Sequence, residues 1–316
     1  MKNAKRNQIL LVTLASSVTI AASASIFEFS STNPMNSQEI IGGENVTDTT
    51  SAVYKSTVRL LVTGYYPKIG VSDSFKGKNT SWRCSGTIVR NNIIVTAAHC
   101  FPAVINVIDP ATQKPVDIAI ESISAEVFHK LSPKVDTPFG AKVTRYVRHP
   151  QYKDFWTREV ENTWNPREPI NDIALAKIAK DIPADKSPVE NIAEKSFVIN
   201  PNDSLILAGY GKTLDGYILP EMRQVQVPYR KQLANKTDSF AGEGNPEQPH
   251  ETPSPKGACS GDSGGPAYSN NKGVLTLMGV IVRGPGDDGG GCSSSMNILT
   301  DVRAYHDWIL EEIDKM

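Results

Sequence analysis

The densest concentration of chemically useful side chains is the stretch Ala258-Cys259-Ser260-Gly261-Asp262-Ser263-Gly264-Gly265-Pro266. A serine hydroxyl is a weak nucleophile until a base takes its proton. Small residues flank Ser263 and leave its hydroxyl accessible. The surrounding glycines let the backbone turn tightly, so amide N–H groups can converge on one spot beside the serine. Such amides stabilise the negative oxygen that forms when a carbonyl is attacked. A plain Gly-Ser surface turn would explain neither the cysteine nor the acid in the same few residues. The run Gly261-Asp262-Ser263-Gly264-Gly265 also satisfies G-x-S-x-G, which two different enzyme folds use, so chain order must separate them.

Two further segments match this chemistry. Thr96-Ala97-Ala98-His99-Cys100 ends an apolar run with a histidine, and Asn171-Asp172-Ile173-Ala174-Leu175 places an acid at the start of another. A carboxylate at a strand edge can accept the second ring proton of a histidine. It then fixes the tautomer and stabilises the imidazolium formed during catalysis. His129, His149, His250 and His306 lack such surroundings and read as solvated or structural.

These groups need a scaffold, and composition bounds it. The chain has 316 residues, 39% of them hydrophobic, and a formal net charge of −1. That length suits one large domain or two halves with real cores. The charge balance gives no footprint for nucleic acid. Lys2, Lys5 and Arg6 precede an apolar run ending near Ala22, and Ala22-Ser23-Ala24 offers a small-x-small cleavage pattern. Residues 1–24 therefore read as a signal peptide, too short and weakly flanked for a stable membrane span. Export permits disulfides, and Cys84, Cys100, Cys259 and Cys292 allow three pairings.

Short β-rich runs at 57–62, 84–89, 93–97, 116–120, 143–147 and 173–178 precede a polar linker at 180–195. A second set follows at 205–208, 222–229, 274–282 and 298–302. Residues 67–82, 153–169 and 243–255 read as long loops. Tyr305, Trp308, Ile309 and Ile313 recur at helical spacing, with Asp307, Glu311 and Glu312 outward. Many short strands with turn signals and one terminal helix argue an all-β architecture.

In their order, these segments resemble the trypsin/chymotrypsin family of serine proteases. Arg83-Cys84-Ser85-Gly86-Thr87-Ile88-Val89 is similar to its strand before the histidine. Leu207-Ala208-Gly209-Tyr210-Gly211 is similar to its Gly-aromatic-Gly segment, and Arg223-Gln224-Val225 to the strand after it. Tyr305 to Ile309 is similar to the start of its terminal helix. The resemblance implies two packed six-stranded antiparallel β-barrels with a C-terminal helix. The first barrel spans about 40–179, the linker 180–195, the second barrel about 196–302 and the helix about 303–316.

The resemblance also implies roles. His99 is the general base and then acid, Asp172 orients it, and Ser263 attacks the scissile carbonyl. Backbone N–H groups of Gly261 and Ser263 form the oxyanion hole. Disulfides join Cys84 to Cys100 and Cys259 to Cys292. Gly257, Gly284 and Asn297 line the specificity pocket, whose lack of a carboxylate favours an uncharged or apolar P1 residue. Asp287 and Asp288 lie on a nearby Gly-rich loop that can fold over the pocket mouth. Ile40-Ile41-Gly42-Gly43 resembles the new N-terminus freed when a pro-segment, here 25–39, is cut away after Glu39. The freed Ile40 ammonium would then pair with Asp262, which needs a partner if buried. Val282 and Arg283 stand where the family usually has a serine and a tryptophan along the substrate channel.

The implied protein is a secreted, monomeric endopeptidase made as a zymogen. It acts on proteins or peptides, depends on a separate activating protease, and uses no cofactor. An α/β-hydrolase would need the order Ser263, Asp301, His306 and strand–helix alternation, which the sequence lacks. A binding-only relative would usually have lost one of the three segments. A metal enzyme would show H-E-x-x-H or a close His/Cys cluster, and no loop spacing specifies calcium.

Overall fold

β-branched and aliphatic runs pack well on a pleated, half-buried surface, and the runs named above become strands. The computed structural model describes residues 40–66, 78–108, 114–128, 140–153, 170–212, 221–244, 256–283 and 297–316. All belong to one unit, Ser37–Met316. The described chain opens with a short strand β1 (Glu44–Asn45) and a single helical turn α1 (Ala52–Ser56). The Ser51 hydroxyl caps α1 by accepting from Tyr54 N at 3.2 Å. One turn is too short to display a periodic apolar face, so α1 is invisible in the sequence pattern.

The first barrel follows: β2 (Thr57–Tyr66), β3 (Lys78–Arg90) and β4 (Ile93–Thr96). A separate hairpin of β5 (Val104–Ile108) and β6 (Pro115–Ala119) intervenes. Then come β7 (Ser122–Phe128), β8 (Gly140–Arg148) and β9 (Ala174–Ile178). The order β2-β3-β4-β9-β8-β7 closes on itself. Leu60, Val62, Ile88, Ile94, Val127 and Leu175 fill its interior. Lys78 to Trp82, read above as loop, extend β3 because each residue pairs with β2, from Tyr66↔Lys78 to Val62↔Trp82.

The second barrel contains β11 (Ser204–Gly209), β12 (Arg223–Gln232), β13 (Asp238–Ala241), β14 (Pro266–Asn271), β15 (Val274–Arg283) and β16 (Asn297–Asp301). It closes because β13 pairs with both β16 and β12. The linker adds a short parallel strand β10 (Asn191–Ile192) beside β15. β1 pairs with β12, so the segment from Ile40 onward joins the second barrel although it precedes the first. Ile40 is fully buried there with Leu205, Leu207, Val225, Met278 and Leu299.

The terminal helix α2 (His306–Lys315) follows a 3-10 turn at Val302–Ala304. It packs back on the first barrel, where the His149 ring meets Tyr305 and Trp308 edge-on at 5.2 and 5.0 Å. Ile309 and Ile313 are buried as expected. Glu312, expected outward, is nearly buried and takes a 2.8 Å bond from Lys315 Nζ. No helix among the described residues is long and apolar enough to cross a membrane. The α/β-hydrolase alternative finds no support: the sheets are antiparallel apart from β10. His306 Nδ1 lies 3.2 Å from Asp307, and Asp301 is bonded to Arg303 and Ser239.

Candidate active site

β4 ends at Thr96, and the 3-10 turn Ala98–Cys100 that follows carries His99. The Cys84–Cys100 disulfide ties this turn to β3. β4 pairs with β9 through Thr96↔Ala174, which brings Asp172, just before β9, beside the turn. Its predecessor Asn171 takes a φ of 57°, held by bonds from Tyr305 Oη at 2.9 Å and to Gln151 O at 3.0 Å. The Asp172 carboxylate then meets His99 twice. His99 N donates to Oδ1 at 2.9 Å, and Nδ1 lies 2.7 Å from Oδ2. Asp172 is fully buried and His99 is 6% exposed. A carboxylate at Nδ1 favours the tautomer that carries its proton there and turns a lone pair to Nε2. From the second barrel, Thr300 Oγ1 donates to Asp172 O at 2.9 Å.

The Ser263 turn is built by glycine. Gly261 and Gly264 have φ of +100° and +81°, which side chains rarely adopt. At Gly264 a Cβ would lie 2.0 Å from Thr96 Oγ1 and 2.5 Å from Ser85 O. The turn therefore presses on the end of β4, beside the loop that holds His99. Ser85 N donates to Ser263 O at 2.7 Å, and Gly264 N to Ile281 O at 2.7 Å. The Ser263 hydroxyl is half-buried and reaches Val282 O at 3.4 Å. The three segments that share chemistry in the sequence thus converge where the barrels meet.

Asp262 is fully buried behind the turn. Its Oδ1 accepts from Gly211 N and its Oδ2 from Cys259 N, each at 2.8 Å. These amides supply partners that a buried carboxylate needs. Burial still pushes the Asp262 carboxyl up to about 7, against the pull of both amides and the Arg223 charge. Gly209 and Gly211 must lack side chains, since a Cβ there would lie 2.3 and 2.5 Å from the Asp262 carboxylate. Ile41 bridges to Gly257, whose N donates to Ile41 O at 3.0 Å.

Gly257 and Asn297, expected in the pocket, do come together. Asn297 is 1% exposed, and its Oδ1 accepts from Ala258 N at 2.8 Å while Nδ2 donates to Ala241 O at 2.9 Å. Gly284, Asp287, Asp288 and Cys292 lie outside the described residues. Cys259 is disulfide-bonded. Cys84, His99 and Cys100 have ligand atoms within 4.8 Å of one another. That spatial cluster escaped the sequence reading, but the disulfide consumes both thiolates that a metal would need.

Sequence reasoning missed several supports of this site. Arg223 donates to Asn45 Oδ1 at 2.8 Å and to Gly43 O, fastening the segment after Ile40 to β12. Thr96 Oγ1 donates to Ser85 O at 2.8 Å. Ser85 itself contacts the Ser263 turn with both its backbone and its side chain. Only buried polar residues inside otherwise apolar runs hint at them.

The family model for trypsin matches residues 67–309. Transmembrane protease serine 11E of Mus musculus is 29% identical over 245 residues, covering 72% of this chain and 48% of that protein. The chain thus spans about half the length of that relative. U21-ctenitoxin-Pn1a of Phoneutria nigriventer is 31% identical over 218 residues, or 64% of this chain and 77% of that protein. A solved structure titled "Structure of GrC" is similar in fold, with TM-score 0.56 at 19% identity, covering 87% of this chain and 100% of that one. With the family model spanning most of its length and both barrels in place, the chain belongs to the trypsin family of serine proteases.

Proposed function

We propose that this chain is an exported serine endopeptidase that works through an acyl-enzyme. The observation that carries the reading is the buried His99–Asp172 pair, 2.7 Å between Nδ1 and Oδ2, beside the turn bearing Ser263. His99 Nε2 takes the Ser263 proton as Oγ attacks the scissile carbonyl, and later returns a proton to the leaving amine. Asp172 stabilises the imidazolium between those steps. Amides of Gly261 and Ser263 hold the oxyanion, and losing one such donor typically costs about a hundred- to a thousandfold in rate. Water then hydrolyses the acyl-enzyme by the same steps in reverse. The neutral floor of Gly257 and Asn297, with Gly284, favours an uncharged or apolar P1 side chain.

Activation belongs to the same proposal. Residues 1–24 direct export, 25–39 form a pro-segment, and another protease cuts between Glu39 and Ile40. The new Ile40 ammonium pairs with Asp262 and holds its carboxylate ionised against burial. A Cys259–Cys292 disulfide braces the Ser263 loop, and the mature domain acts as a monomer on protein or peptide substrates. Replacing Ser263→Ala should leave only a trace of peptidase activity in a folded protein, and should abolish fluorophosphonate labelling. Near-normal cleavage by that variant refutes the assignment. Full activity of a chain blocked at Glu39–Ile40 refutes the activation step alone.

A further inference from the structure

We propose, building on the nucleophile and oxyanion assignments above, that Ser85 of the first barrel is a positioning residue for the oxyanion-binding turn of the second. Ser85 lies on β3, next to disulfide-bonded Cys84, and is fully buried. Among the described residues its hydroxyl has two partners, and both come from the other barrel. The O–H donates to Gly261 O at 3.0 Å, and the oxygen accepts from Tyr210 N at 3.0 Å. Its backbone N–H donates to Ser263 O at 2.7 Å. One first-barrel residue therefore grips both ends of the turn from Gly261 to Ser263.

The grip matters because of where Gly261 sits in φ,ψ space. At φ +100° it has the conformational freedom that only glycine enjoys, so little in its own backbone preference aims its N–H. Oxyanion stabilisation requires that N–H to be aimed in advance. Pinning the Gly261 carbonyl restricts rotation of the residue from one side, while the packing of Gly261 on Gly211, 3.0 Å from Cα to a Cβ built at Gly261, restricts it from the other. Tyr210 belongs to the same Gly-Tyr-Gly segment whose glycines abut Asp262. The Ser85 hydroxyl thus links the wall beneath Asp262 to the carbonyl of Gly261. The site is crowded: Cβ atoms built at Gly265 and Gly209 would lie 3.1 Å from Ser85 Cβ and Oγ. Deleting the hydroxyl leaves a half-buried acceptor and a buried donor without it, and the cheapest relief is rotation of the turn.

The test compares wild type, Ser85→Ala and Ser85→Gly as cleaved, disulfide-intact proteins. The expected result is a fall in kcat of about tenfold with KM changed by less than about twofold, because the interaction acts on the transition state. Affinity for a peptide boronic acid, whose adduct places an oxygen in the oxyanion site, should fall in parallel with kcat. Affinity for a non-covalent peptide inhibitor should not. Ser85→Gly adds no bulk and serves if Ser85→Ala fails to fold. A lower melting temperature with unchanged kcat and boronate affinity would make Ser85 merely structural and overturn the proposal. A wild type that neither reacts with fluorophosphonate nor cleaves peptides refutes the Ser263 assignment itself. A reactive wild type with equally reactive Ser85 variants refutes only the role given to Ser85.

Discussion

The two barrels share a strand count but hold their polar groups differently. The first presents His99 and Asp172 at the ends of adjacent strands, paired with each other, and clamps the histidine turn with a disulfide. Its half of the site is set by strand register. The second presents Ser263 on a turn in which Gly261 and Gly264 adopt positive φ, with Asp262, Asn297 and Arg223 buried nearby. Its half depends on whether buried polar groups find partners, and removing one partner of a buried pair typically costs about 3–5 kcal/mol. On the roles proposed above, the acid–base half is preassembled and the nucleophile half conditional. The proposed cleavage, which creates one ammonium, would act on the conditional half.

The sharpest way to break this contrast is Asp172→Asn in the first barrel. For triads of this type, neutralising the acid lowers kcat by about ten-thousandfold through the wrong histidine tautomer. The barrel should stay folded by circular dichroism, and a variant within about tenfold of wild-type kcat removes Asp172 from the chemistry. Asp301→Asn in the second barrel should do the opposite. Asp301 accepts from Ser239 Oγ at 2.6 Å and from Arg303 at 2.6 and 2.9 Å. Stability should fall by about 3–5 kcal/mol in urea unfolding, with titrated active sites turning over nearly normally.

Asp262 tests the conditional half by pH. With the two amides as partners, burial raises its carboxyl from 3.8 to about 7. A raised pKa means that the folded state binds the proton more tightly. The associated stability is full below about pH 4 and is lost as pH rises through 7, a change of roughly 4 kcal/mol. Unfolding of the uncut chain between pH 4 and 7.5 should show this slope, and Asp262→Asn should flatten it. An identical slope in the variant assigns it to other groups. The smallest effect belongs to the Cys84–Cys100 disulfide, which closes a separation of 16 residues. The double alanine variant should lose about 3 kcal/mol, read from the urea midpoint. A loss of activity as deep as that of Asp172→Asn would show that the disulfide, not strand register, assembles the acid–base pair.

Most strands with a hydrophobic signal were legible, and those without one were not. β9 reads plainly because Ala174, Leu175, Ala176 and Ile178 are all buried. β13 does not, since Asp238 and Ser239 are buried by hydrogen bonds to Asn235 and Asp301 rather than by apolar character. β14 starts at Pro266 and ends in Ser269-Asn270-Asn271, a turn-like composition that pairing with β11 and β15 overrides. β7 could have been found, because Ile123, Ala125 and Val127 alternate with more exposed neighbours. Among the site residues, His99, Asp172 and Ser263 stood out because each sits in a distinctive local string.

By itself, the sequence determined which side chains were available for chemistry, the all-β class and the order of the segments. Those properties depend on residue type and short-range periodicity, which a linear string carries in full. Tertiary structure alone decided that Ile40 packs in the second barrel, that the Gly211 amide bonds to Asp262, and that Ser85 reaches across to Gly261. Each pairs residues far apart in the chain, Ser85 with Gly261 across a separation of 176. Register and barrel closure bring such groups within bonding distance, and no local propensity encodes either.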